Sequence, residues 1–111
     1  MSLEKTVKVK IQSKEYEVGF PTIGQILDIE TRKHTLSNGQ YRNFDLRTRE
    51  LLDATSCFSI LIPALEKDLV VDSIFDLNLQ SGRELVESYK KDFKPWFEGW
   101  LEVLHENKKD E

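Results

Sequence analysis

The chain changes its hydrophobic rhythm once, near residue 20. Over residues 5–18 apolar and polar positions alternate: Val7, Val9 and Ile11 fall on one face, Lys8 and Lys10 on the other. After Ser13-Lys14 the alternation resumes with Tyr16 and Val18, which predicts a β-hairpin with one wet face. An isolated hairpin is marginal in water, so its apolar face is expected against the helices that follow. Gly19-Phe20-Pro21 closes the hairpin, and the period then lengthens from two to about 3.6 residues.

The first helix is expected to start at Thr22, where Thr22 and Gln25 form a T-x-x-Q capping box. Ile23, Ile26 and Leu27 share its apolar face with Ile29 on the flank, and Ser37-Asn38-Gly39 supplies the stop. A polar loop, Gln40 to about Arg47, carries Tyr41 and Phe44. A second helix is predicted from about Thr48 to the region of Pro63–Leu69. Its seam of Leu51, Thr55, Phe58, Ile62, Leu65 and Leu69 steps by four and three. Cys57, Ile60, Leu61 and Ala64 fill the other faces, so residues 54–65 are the expected centre of the core. Pro63 should bend or end that helix.

Val70 to Ser73 reads as a break, and IFDLNL as a turn or two of helix. Ser81-Gly82-Arg83-Glu84 then offers a second capping box, S-x-x-E. Leu85, Val86, Tyr89, Phe93, Trp96, Phe97, Trp100, Leu101 and Leu104 follow at helical spacing. The stripe passes Pro95 without losing register. At roughly 100° per residue Pro95 stands about 200° from Phe93, on the polar side, where it predicts a kink that wraps the helix around what the stripe covers. Residues 106–111 are a charged tail expected to fray. The fold expected is one mainly helical α+β domain over 1–111, with a hairpin at 1–20 and about four helices over 21–105.

Composition narrows the function. The 111 residues carry a net charge of −4, and 39% are apolar, which suits a globular domain and disfavours nucleic acid as the main partner. Nine Lys/Arg face eight Asp/Glu in residues 1–55, but seven face twelve in 56–111, so the acidic half holds the aromatic stripe. Glu87, Asp92 and Glu98 alternate with Lys90, Lys91 and Lys94, as on a solvated helix surface. The single Cys57 excludes an internal disulfide, and its apolar neighbours predict an inert structural thiol. MSLEKTVKVK has no apolar core of a secretory signal, and the apolar run Phe58–Leu65 is too short to cross a bilayer. A cytosolic protein is expected.

Chemistry is thin. His34 and His105 are far apart, and no metal-ligand spacing or glycine-rich phosphate loop is present, so neither metal nor cofactor is expected. Carboxylates sit at caps and on polar faces, which predicts no catalytic residues and no enzyme. Arg42, Arg47 and Arg49 interleave with Tyr41 and Phe44, a pattern that can grip single strands, but Asp45 and Glu50 offset it. The candidate partner-binding residues are Trp96, Phe97, Trp100, Leu101 and Leu104, because large apolar side chains beyond the reach of a small core anchor interfaces.

The succession of a short hairpin, FPTIGQILDIE, LSNGQY and LVESYKKDFKPWFEGWLEVL resembles small tail-assembly chaperones of tailed bacteriophages. The resemblance implies a helper that binds a tail component such as the tape-measure protein and shields its apolar surface, in the host cytoplasm or on the way to the virion. A ring or connector protein of the virion, a small acidic nuclease inhibitor of the anti-CRISPR kind, and self-association remain alternatives.

Overall fold

A computed structural model of the chain describes residues 5–109, with side chains as far as 104. Strands β1 (Thr6–Ile11) and β2 (Lys14–Gly19) pair antiparallel, Val9 opposite Tyr16 and Ile11 opposite Lys14. Gln12 and Ser13 both take positive φ, 49° and 70°, the primed turn whose twist suits a two-residue hairpin. Val9, Ile11 and Val18 are buried, as the alternation predicts.

Helix α1 (Ile23–Ser37) begins at the Thr22/Gln25 capping box, with both reciprocal hydrogen bonds formed, and ends on left-handed Asn38. Its orientation differs from the expected one. Ile23 and Leu27 are 82% and 61% exposed, while Ile29 is buried and Lys33 turns inward. The reason is polar: Lys33 Nζ meets Asp53 Oδ1 at 3.3 Å, and the Tyr41 hydroxyl donates to the same oxygen at 2.6 Å. Rolling α1 to bury Ile23 and Leu27 would forfeit that network and strand a carboxylate on α2.

Helix α2 (Leu46–Leu61) starts two residues before the expected Thr48, because the Asp45 carboxylate caps it by accepting from the Thr48 N–H at 2.8 Å. It stops at Ile62, ahead of Pro63, and a single turn, α3 (Leu65–Asp68), carries the seam onward. Ala54 to Phe58, Ile62 and Leu65 are buried, so the core lies where the seam places it. The expected IFDLNL helix is a 3-10 turn over Ile74–Asp76.

Helix α4 (Leu79–Ser88) corrects the second capping box. The cap is Asn78, whose side chain accepts from the Ser81 N–H at 2.9 Å, so Ser81 sits inside the first turn. At Gly82 an added Cβ would lie 3.2 Å from Leu51 Cδ2, which explains the glycine where α4 crosses α2. A π turn over Tyr89–Phe93 joins α4 to α5 (Lys94–Lys109) in one helical rod. The Lys94 N–H reaches back five residues to the Tyr89 carbonyl. Pro95 has no N–H for the Lys91 carbonyl and would crowd it in a tight helix; the wider turn just upstream relieves that clash. Helical backbone continues to Lys109, past the start of the tail expected to fray, while the His105 side chain and residues 110–111 lie outside the described residues.

Side chains clasp the hairpin from both sides. On β1, the Lys10 N–H donates to Asp92 Oδ2 at 3.1 Å and the Lys10 carbonyl accepts from the Ser88 hydroxyl. On β2, Asp68 Oδ2 accepts from Lys14 Nζ at 2.8 Å and from the Tyr16 hydroxyl at 2.9 Å. In this register the outward backbone groups of β2 belong to Glu15, Glu17 and Gly19, and no backbone partner meets them among the described residues.

The Lys14 and Tyr16 hydrogen bonds hold the Asp68 carboxyl below its ordinary 3.8. A depressed carboxyl stabilises the fold above its unfolded value and loses that contribution as pH falls through its folded one. Asp68→Asn should therefore lower the melting temperature at pH 7, and the gap to the parent should close below about pH 4. A gap unchanged down to pH 2.5 would contradict the clasp. Val70 holds φ 57° at 88% exposure, left-handed backbone that costs a β-branched residue strain and returns no burial. Val70→Gly should raise unfolding free energy by roughly 0.5–1 kcal/mol in urea titrations.

Candidate functional site

The aromatic stripe of the C-terminal rod is graded from buried to open. At its base Phe93 is buried, with its ring 6.1 Å from Phe58 of α2 in an edge-on contact. The rings of Tyr89 and Phe97 stack on it at 5.5 and 5.3 Å, one turn to either side. Residues four apart thus stack on both sides of Phe93, across the π turn at Tyr89 and along α5 at Phe97. Burial holds the Tyr89 phenol well above its usual value, so it stays neutral.

Phe20, in the link between hairpin and α1, is the residue that sequence reasoning missed. Its ring lies 5.9 Å from Trp96, 5.3 Å from Phe97 and 5.9 Å from Trp100. One side chain therefore covers three of the five candidate residues, and all three are half-buried. The available signal was local: an aromatic beside a proline at a hairpin exit, where the chain must turn onto the next layer.

The cover stops there. Leu101 and Leu104 are 45% and 48% exposed, and Glu98 and Glu102 beside them are exposed too. The five sequence-selected residues thus divide into three that Phe20 shields and two that stand open on the same helix. The open pair offers apolar area and carboxylates, and its chemistry is that of contact.

Elsewhere the candidate chemical groups are engaged. Burial pushes the Cys57 thiol up to about 12, which leaves almost no thiolate at neutral pH. Tyr41 is held by Asp53 and has the Lys33 ammonium over one face of its ring, 5.2 Å from the centre. Phe44 lines an apolar cleft with Leu36, Leu52 and Leu77. Among the described residues no three His, Cys, Asp or Glu side chains gather as a metal site would need, and no helix is long and apolar enough to cross a membrane. Comparisons with known protein families, with curated proteins and with solved structures find no match for this chain.

Replacing Phe20 removes the cover from both tryptophans at once. Phe20→Ala should shift tryptophan emission to longer wavelength, increase quenching by acrylamide, and cost roughly 2 kcal/mol of stability. An unchanged emission maximum would contradict the shielding role.

Proposed function

We propose that this chain is a non-enzymatic protein-binding module, and specifically a tail-assembly chaperone of a tailed bacteriophage. The observation that carries the binding role is the open end of the stripe at Leu101 and Leu104, on a helix whose earlier turns are covered. Paired leucines on a fixed helix are the anchors by which an amphipathic helix is read in a groove. The phage assignment rests on the resemblance of FPTIGQILDIE, LSNGQY and the aromatic-proline-tryptophan helix to such chaperones. In this reading the chain holds an apolar segment of a tail component against its own leucines until assembly buries that segment elsewhere. The flanking glutamates keep the complex dispersed in the host cytoplasm.

The test is a pull-down with the tagged full chain from phage-producing cells, with mass spectrometry of the complex and of purified particles. A tail component in the complex and no trace of the chain in finished particles is the expected result. Stoichiometric presence in the particle would make the chain a ring or connector protein. Capture of a basic nuclease, released by salt, would make it an inhibitor. The double substitution Leu101→Asp with Leu104→Asp should lower capture of the tail component about tenfold or more and leave the circular dichroism spectrum unchanged.

A further inference from the structure

A groove opens between the start of α2 and the length of α4, about 410 Å³ in volume. Leu51 and Val86 line it, Leu79 stands at its edge 65% exposed, and Arg47 and Arg83 flank it. Glu87, Lys90 and Glu50 also line it, the last two paired with each other at 2.8 Å. Neither Arg47 nor Arg83 enters an ion pair among the described residues. The groove therefore asks for an apolar helix face bordered by carboxylates.

Such a face exists on this chain at the end of α5, where Leu101 and Leu104 lie beside Glu98 and Glu102. It cannot reach its own groove. Arg83 and Leu101 belong to one rod, 18 residues apart in numbering, hence about 27 Å apart along its axis. Allowing for the residue that the π turn inserts, Glu98 and Glu102 return to the side of the rod on which Leu79 and Arg83 stand. That side carries exposed charges in a ladder: Arg83, Glu87, Lys90, Lys94, Glu98. Laid antiparallel on a second copy, the ladder sets Arg83 opposite Glu98 and Glu87 opposite Lys94, in place of the loose 4.0 Å pair that Lys94 and Glu98 make within one chain. The remaining Lys90 is already neutralised by Glu50.

We infer that two copies of this chain pair through antiparallel α4–α5 rods, each seating its Leu101 face in the other's α2–α4 groove. The contact is two-fold symmetric and self-complementary, so it closes at a dimer. The pairing occupies the same Leu101 face that the chaperone reading assigns to the client, so on one chain the two contacts exclude each other, and the oligomeric state tests the pairing by itself.

Sedimentation velocity of the purified full chain over a wide concentration range, at low and high salt, tests the pairing. A species of twice the 13.0 kDa mass should appear as concentration rises and weaken with salt. Arg83→Glu and Glu98→Arg should each weaken dimerisation roughly tenfold or more. Their combination in one chain should restore it, and mixing the two single variants should give a one-to-one heterodimer. Both positions are exposed, and unchanged thermal melts of the single variants check their folding. A chain that stays monomeric throughout overturns the inference. So does a dimer indifferent to both reversals, or one that the combined exchange fails to restore.

Discussion

Phe93 stands where the parts of this fold meet. Its ring takes the edge of Phe58 from the central helix, and Tyr89 and Phe97 stack on its two faces. One half of that stack spans the π turn and the other runs along α5. The same turn provides room for Pro95, and it lies beside Ser88 and Asp92, which grip β1. The passage of a proline through a long helix and the seating of the hairpin therefore meet at one widened turn, beside the ring on which the core packs. A substitution that restored ordinary α geometry there would have to disturb both.

A second constraint is polar. Hydrophobic patterning alone rotates α1 to bury Ile23 and Leu27, and the molecule leaves them exposed. A half-buried carboxylate is costly without partners, whereas an apolar side chain in water costs less than a stranded charge. Asp53, half-buried on α2, draws Lys33 and Tyr41 to itself and with them the orientation of α1. The burial of Cys57 near this cluster explains why the lone thiol is quiet.

Much of this was legible from residues alone. The hairpin, the Thr22 cap, the seam from Leu51 to Leu69 and a long last helix whose stripe passes Pro95 follow from spacing, because each is a local consequence of period; the π turn upstream of Pro95, where a kink at the proline was expected, does not. The starts of α2 and α4 were misplaced by two or three residues, because Asp45 and Asn78 outcompete later capping residues. The rotation of α1 and the cover supplied by Phe20 were not legible, since both depend on contacts between segments far apart in sequence. The aromatic candidates were legible as a stripe. Their division into shielded and open members was not, because it is decided by a side chain about 75 residues earlier.

The grip on Lys10 reaches beyond the hairpin it holds. A two-stranded sheet has two borders at which another strand could dock, and such borders invite unwanted association. Here the hydroxyl of Ser88 and the carboxylate of Asp92 stand in for a neighbouring strand at Lys10, near the turn end of one border. A strand arriving on that side would have to displace both contacts, whereas the border at Glu15, Glu17 and Gly19 meets no backbone partner among the described residues. The helical rod thus favours one direction of approach, in a protein that otherwise leaves leucines in view.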